Sequence, residues 1–335
     1  MKVLLIGSGA REHALGWTLS QSPRLTQLFC APGNPGLAEI GQCIALDVDR
    51  HDDVVAFCRE EAVDLVVVGP EAPLVAGLSD ALEAAGIRVF GPSKAAAQLE
   101  GSKRFTKDLC AEAGIPTADY AAFETADAAR AHIAERALPL VIKADGLAAG
   151  KGVTVAGTRD EAEAAIDACF SGTFGQAGGQ VVIEDCLEGE EASFFAIVDG
   201  ETVLPMVAAQ DHKRAFDGDT GPNTGGMGAY SCENGLLPFL SKSNYEEGAH
   251  ILQKIVEALD KEGCSYIGAI YGQFMLTSNG PKIIEINARF GDPEAMNVLP
   301  LLESDYVKIC EAMLKGNLNK KKIKMNKKST VCKYV

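Results

Sequence analysis

Val3-Leu4-Leu5-Ile6-Gly7-Ser8-Gly9-Ala10-Arg11-Glu12 opens the chain with four consecutive apolar residues, a glycine turn and a helical pattern over residues 10–20. A short apolar run bounded by glycines and followed by a helix reads as a buried parallel strand and the first half of a βαβ unit. The rhythm repeats: 64–68 and 87–90 read as strands and 73–85 as a helix, so residues 1–101 are expected to form a doubly wound α/β domain. The turn after the first strand would set free backbone N–H groups and the positive end of a helix beside a bound phosphate. It matches a dinucleotide fingerprint only in part. The third glycine position holds Glu12, which would crowd a pyrophosphate and bring a carboxylate close to it, so a nicotinamide or flavin dinucleotide is disfavoured. A single phosphate or a ribose is easier to hold, and a plain strand-to-helix turn accounts for the same residues equally well.

From about Ser102 the pattern changes. A helix to Ala113 is followed by strands at Leu140–Ala144, Val153–Ala156, 181–184 and 192–198, with a helix over 160–170. Strand-rich runs with few crossovers predict an α+β domain over 102–315. Residues 211–231 are glycine-rich, polar and too long for a plain connection; they read as a functional loop or as a mobile surface loop. A helix over 245–262, a hairpin over 267–287 and a helix over 304–314 follow. Residues 316–335 stand apart: eight lysines and no acidic residue follow Glu311, which favours a solvated lysine-rich linker over an anchor for an anionic surface. The chain is also alanine-rich before Ser231 and richer in Lys, Asn and Ile after it, a shift that fits a join between two related sequences.

Composition narrows the function. The 335 residues suffice for about two domains, and 47% hydrophobic with 23% charged residues is the balance of a folded protein, not a disordered one. The net charge of −15 and the lack of a basic stripe with interleaved aromatics argue against nucleic acid as a partner. The ten cysteines lie singly, with no CxxC pair, which suits a reducing compartment and a cytoplasmic protein. The apolar start is too short for a signal segment, and no stretch is long enough to span a bilayer. The 35 glycines cluster in short runs between apolar segments, as phosphate-binding loops require.

Two further constellations carry chemistry. Lys143-Ala144-Asp145-Gly146-Leu147-Ala148-Ala149-Gly150-Lys151-Gly152 lies between two predicted strands. Such a loop folds its amides over a triphosphate while Lys143, rooted in a strand, supplies a fixed positive charge; a glycine hairpin with two solvated lysines is the simpler alternative. Some forty residues on, Val181-Val182-Ile183-Glu184-Asp185-Cys186-Leu187 leads into a connection with Glu190 and Glu191, whose backbone and carboxylates suit an adenine and ribose hydroxyls. The second is Ile283-Ile284-Glu285-Ile286-Asn287, preceded across a turn by Gln273. Period two puts Glu285 and Asn287 on one face and Ile284 and Ile286 on the other. A three-residue turn would set Gln273 opposite Glu285, whereas a two-residue turn would point it away. Three hard oxygen donors suit Mg²⁺ or Mn²⁺. Arg289, Asp292 and Glu294 follow at once, and an ion pair among them is the structural alternative.

With these stretches assembled, the sequence closely resembles the glycinamide ribonucleotide synthetases, a family of ATP-grasp ligases. The likeness runs from Met1 to about Glu311 and includes Pro32-Gly33-Asn34, Gly69-Pro70-Glu71-Ala72-Pro73-Leu74, Gly101-Ser102-Lys103, Gln210-Asp211-His212-Lys213-Arg214, Gly221-Pro222-Asn223-Thr224-Gly225-Gly226-Met227-Gly228 and Asn287-Ala288-Arg289-Phe290-Gly291-Asp292-Pro293-Glu294. The resemblance implies ATP-dependent joining of glycine to 5-phosphoribosylamine through a glycyl phosphate, with release of ADP and phosphate, in purine biosynthesis. It implies an ATP-grasp fold after the doubly wound domain, with a small lid over about 118–188. It also implies Lys103, Lys143, Gly150, Lys151 and Gly152 at the phosphates and Glu184, Leu187, Glu190 and Glu191 at the adenosine. Gly9, Asn34, Glu71, Asn223 and Asp292 would hold the other substrates; Arg289, Lys143, Asp211 and Lys213 would act in catalysis, and Gln273, Glu285 and Asn287 on the metal. Partners would be small molecules, with neither nucleic acid nor membrane, and a monomer is compatible with the sequence. Family members continue into a further C-terminal domain, of which residues 316–335 look like the start; exposed apolar surface is expected where it would pack. The same residues would serve an ATP-grasp relative acting on another carboxylate and amine, or a fragment holding nucleotide without catalysis.

Overall fold

A computed structural model describes residues 1–148, 151–218 and 220–334. Strands β1 (Lys2–Gly7), β2 (Gln27–Pro32), β3 (Gln42–Cys43), β4 (Leu65–Val68) and β5 (Val89–Phe90) form a parallel sheet in the order β3-β2-β1-β4-β5. Val3, Leu4, Leu5 and Ile6 are buried on both faces, as a central parallel strand requires. The chain order reverses at β1, so the crevice beyond its carboxyl end opens at residues 7–9. The helix expected over 73–85 is two helices, Glu71–Ala76 and Leu78–Ala84, broken where Gly77 adopts φ +99°. Periodicity had not revealed β2, β3 or the helix His51–Glu60.

Strands β6 (Tyr120–Phe123), β7 (Leu140–Ala144), β8 (Val153–Ala156) and β9 (Val181–Asp185) form a separate antiparallel sheet, β6-β9-β7-β8. Helices Ala126–Glu135 and Arg159–Phe170 cover one face through Ile133, Ile142, Ile166 and Ile183, and the other face is left toward a cleft. The remaining strands are β10 (Glu190–Asp199), β11 (Val203–Pro205), β12 (Gln210–Phe216), β13 (Thr220–Ser231), β14 (Ile267–Thr277), β15 (Gly280–Asn287) and β16 (Thr330–Lys333). They make two antiparallel sheets, β11-β10-β14-β15 and β12-β13-β16.

Alternation along β10 shows how the middle sheet is anchored. Phe194, Ala196 and Val198 pack under the helix Lys242–Lys261, whose Ile251, Leu252, Ile255, Val256 and Leu259 recur at helical spacing. Phe195 and Ile197 face the other way and share a core with Val3, Leu5, Leu15 and Leu19 of the first sheet. The two sheets are thereby fastened through one apolar cluster.

Two expectations change. Residues 211–231 are not an irregular loop: most of them belong to the β12–β13 hairpin, whose register shifts twice between His212 and Phe216. The lysine-rich segment is not a free linker either. Leu318 is buried, Ile323 and Met325 pack on the main core, and β16 pairs along β13, while lysines 320–322, 324, 327 and 328 remain exposed. Backbone pairing and three apolar side chains hold the segment, and charge keeps the lysine heads in water. Among exposed large apolar side chains are Trp17, Phe216 and Val331. No described helix is long and apolar enough to cross a membrane.

Candidate active site

The lid sheet, the β14–β15 hairpin, the β12–β13 hairpin and the end of the first sheet enclose a cleft of about 960 Å³. The hairpin at its floor turns through residues 278 and 279, with Thr277 opposite Gly280. That two-residue turn would point Gln273 away from Glu285, but a bulge at Ile284 shifts the register by one and pairs them. The same bulge sends Ile283 and Ile286 into the core; Ile284, expected there, lines the cleft instead. Glu285 and Asn287 share the cleft face, with Asn287 Nδ2 donating to Glu285 Oε1 at 3.4 Å.

Lys213 reaches this floor from β12. Its ammonium donates to Gln273 Oε1 and lies 3.6 Å from Asp211 and 3.7 Å from Glu285. Burial alone would lower its pKa, yet Glu285, Asp211 and Glu191 hold it above the usual lysine value. Burial would likewise raise the Glu285 carboxyl, but Lys213, Lys143 and Lys103 hold it at about 2. Glu285 is therefore an anion throughout the neutral range. Gln273 is 1% exposed and its amide is engaged twice, accepting from Lys213 and donating to Glu191. Among the described residues no group of three or more His, Cys, Asp or Glu is arranged to hold a metal. The anionic oxygen of Glu285 beside the amide oxygen of Asn287 nonetheless fits a hard divalent cation completed by phosphate oxygens. Gln273 would join them only by releasing Lys213.

Two lysines line the opposite wall. Lys143 of β7 lies 2.7 Å from Glu184 Oε1 and donates to the Ile284 carbonyl at 3.1 Å. Lys107, four residues after Lys103 on the helix Lys103–Glu112, lies 2.7 Å from Glu184 Oε2 and donates to Thr117 Oγ1 at 2.7 Å. The carboxylate of Glu184, expected at a ribose, is thus held between two buried ammonium groups and orients them. Lys107 was not among the residues singled out from the sequence; its i, i+4 spacing from Lys103 was the available signal. Lys103 donates to the Gly146 carbonyl at 2.7 Å, and burial lowers its pKa. Asp145 accepts from Ser102 Oγ and the Arg104 N–H, so the glycine-rich segment after β7 is tied to the start of that helix. Leu187, Glu190, Glu191 and Gly152 border the cleft; Lys151 does not, and Gly150 lies outside the described residues.

At the N-terminal end the structure redistributes several roles. Glu12 is 2% exposed and accepts from the Gly9 N–H at 2.7 Å and from Arg11 Nε at 2.6 Å. A Cβ at Gly7 or Gly69 would collide with its side chain, so Glu12 occupies the space a pyrophosphate would need. Gly9 therefore closes the helix start and does not line the cleft. Asn34 caps the helix Pro35–Ala38, accepting from the Leu37 N–H at 2.8 Å, and its Nδ2 donates to the carbonyls of Ser8 at 3.0 Å and Gly9 at 3.2 Å. Its side chain ties two loops together and does not reach the cleft. Asn34→Ala should accordingly cost about 1–2 kcal/mol of stability. Urea unfolding will read that loss, while the KM for ATP is expected to stay at the wild-type value.

Arg289 pairs with Glu100 at 2.6 Å and with Glu71 at 3.3 Å, and not with Asp292 or Glu294 as the structural alternative had it. Glu71 faces the cleft, but its carboxylate is shared between Arg289 and Arg11, the latter at 3.5 Å, and the two arginines keep it ionised below the usual carboxylate range despite burial. Asp292 accepts from the Tyr334 hydroxyl. Asp211 and Asn223 border the cleft from the β12–β13 hairpin, and His212 stacks on Tyr230.

Glu294 is 3% exposed, accepts from Ser193 Oγ at 3.1 Å and borders the cleft. Burial, then the charge of Asp211, pushes its carboxyl up to about 7. The folded protein thus keeps a proton there that the unfolded chain releases near 4.5, so this group makes stability fall as pH rises from 4.5 toward 7. Glu294→Gln should remove that loss and raise stability at pH 8 by up to about 3 kcal/mol, with little gain at pH 4.5. An equal gain at both pH values in urea titrations would contradict this account.

A doubly wound sheet, a β-sheet lid carrying an inward lysine, and a carboxylate–carboxamide pair on the facing hairpin define an ATP-grasp protein. Residues 1–100 match the N domain, and residues 101–295 the ATP-grasp (A) domain, of phosphoribosylglycinamide synthetase. The phosphoribosylamine-glycine ligase of Rhizobium meliloti is 57% identical over 318 residues, covering 95% of this chain and 74% of the relative; that of Agrobacterium fabrum is 55% identical, covering 96% and 75%. The crystal structure of phosphoribosylamine-glycine ligase from Thermotoga maritima superposes with a TM-score of 0.84 at 30% identity, covering 99% of this chain and 79% of that one. A biotin carboxylase from Campylobacter jejuni shares the fold at 16% identity, with a TM-score of 0.73 over 98% of this chain and 74% of its own. The chain belongs to the phosphoribosylglycinamide synthetase family.

Proposed function

We propose that this chain is a phosphoribosylamine-glycine ligase that joins glycine to 5-phosphoribosylamine with cleavage of ATP to ADP and phosphate. Its family membership and the coverage of its relatives support the reading. The structural observation that carries it is the convergence of Lys143, Lys103, Lys213 and Arg289 on the Glu285–Asn287 pair in one cleft. A carboxylate does not react with an amine because oxide is a poor leaving group. Transfer of the γ-phosphoryl group to the glycine carboxylate gives an acyl phosphate, from which the amine displaces phosphate. Phosphoryl transfer needs alignment and charge neutralisation more than covalent help.

Lys143, held straight by Glu184, and Lys103 would neutralise the phosphates. Arg289 would face the transferred phosphoryl group, and Asp211, Lys213 and Asn223 would orient glycine and the amine. Glu285 and Asn287 would hold Mg²⁺ or Mn²⁺, which would supply positive charge against the phosphates. Acyl phosphates hydrolyse readily, so the lid sheet would exclude water by closing on the cleft. In this reading residues 1–101 serve the amine substrate, residues 102–315 with a lid over about 118–188 serve ATP and glycine, and residues 316–335 begin a further domain. A reducing, cytoplasmic setting agrees with ten free cysteines. The test is ADP release by this chain, which should require both glycine and freshly generated phosphoribosylamine; release with another acid and amine but not with this pair would replace the proposal.

A further inference from the structure

Arg289 is held with unusual completeness. Its Nε faces Glu71 at 3.3 Å, Nη2 faces Glu100 at 2.6 Å and Asn287 Oδ1 at 3.5 Å, and Nη1 donates to the Phe290 carbonyl at 3.2 Å. The two carboxylates are not equivalent. Both border the cleft, but Glu71 has a 28% exposed side chain and is shared with Arg11, so it is the more open to competition from anything that binds there. Glu100 has a side chain only 6% exposed and uses both oxygens: Oε1 meets Arg289 and Oε2 accepts the Ala288 N–H at 2.8 Å. One carboxylate thus grips the guanidinium and the backbone of the residue before it. Glu100 sits on the short helix Gln98–Gly101, immediately ahead of Ser102 and Lys103, which hold the phosphate loop.

We propose that Glu100 is a positioning residue for the reaction: it fixes the guanidinium of Arg289 beside Asn287, where the phosphoryl group is transferred, whereas Glu71 is its exchangeable partner. The inference rests on the ligase reading for the role of Arg289, and adds a residue to which neither the motifs nor the reading gave a task. A buried carboxylate without its cation is costly, so the pair holds together and the geometry is set before substrate arrives. A displacement of about 1 Å at such a group is enough to cost about a hundredfold in rate.

The test uses the full chain with Glu100→Gln, which keeps the shape and removes the charge, and Glu100→Asp, which keeps the charge and draws it back. NMR exchange of the Arg289 Nη2 protons, which face Glu100, assigned by their loss in Arg289→Lys, reads the contact directly and does not depend on turnover. Both variants should speed that exchange at least tenfold. In the ADP-release assay kcat should fall between tenfold and a hundredfold, with the KM for ATP within twofold of wild type. Glu100→Asp carries the test if Glu100→Gln does not melt cooperatively. Unchanged exchange, or unchanged kcat despite faster exchange, would overturn the assignment. A wild-type chain that released no ADP would refute the ligase reading, while unchanged exchange of the Nη2 protons would refute the role of Glu100 independently.

Discussion

Glu285→Ala should lower kcat by about a thousandfold, equivalent to about 4 kcal/mol of transition-state stabilisation, and leave the melting temperature within a few degrees of wild type. The side chain lies on the cleft face of β15 and the bulge at Ile284 has already sent its neighbours Ile283 and Ile286 into the core, so little packing depends on it. What is lost is the one carboxylate that Lys213, Lys143 and Lys103 together hold ionised to about pH 2. Without it the three lysines lose the anion they share, and of the Glu285–Asn287 pair only the amide oxygen of Asn287 is left for a divalent ion. ADP release measured across a Mg²⁺ titration decides the matter: a variant as active as wild type at limiting Mg²⁺ would remove Glu285 from the metal site.

Lys143→Met carries the second large effect, and here stability and activity separate. The side chain is buried, and its removal leaves Glu184 paired with Lys107 alone. Breaking one side of a buried ionic cluster costs about 3 kcal/mol, and kcat/KM for ATP should fall by more than about a hundredfold through the lost phosphate charge. Adding Glu184→Gln to Lys143→Met should lower stability further, since buried Lys107 would then have lost its carboxylate, and should not restore ATP use. Urea unfolding and ATP titration on both variants read the two effects apart. A Lys143→Met variant that lost stability but kept wild-type ATP use would mean that Lys143 only balances Glu184.

Much of the site was legible because its residues carry local signals. Lys143 in a glycine-rich loop between strands, and Glu285 with Asn287 at spacing two, announce themselves within ten residues of chain. Glu184 carries a weaker signal: a carboxylate on a strand suits a ribose or a lysine equally, and in the structure it lies between Lys143 and Lys107, the latter 77 positions away. Asn34 and Gly9 look like pocket residues by motif, but their hydrogen bonds are used in closing turns. Glu100, in Leu99-Glu100-Gly101, offers no pattern at all; its meaning comes from Ala288 and Arg289.

Periodicity and turn chemistry along the chain are enough for β1, β4, β5, β7, β8 and β9 as strands and for the β7–β8 hairpin, because each is signalled among near neighbours, whereas β2, β3 and β6 were not legible and the sheets pair distant segments. The register of Gln273 against Glu285, the division of Glu184 between two lysines and the capture of Arg289 by Glu71 and Glu100 depend on a bulge and on ion pairs between distant segments. A one-residue slip in a strand reverses which face each side chain takes, and a buried charge accepts whichever opposite charge the packing brings within reach, so these features are settled when the sheets come together.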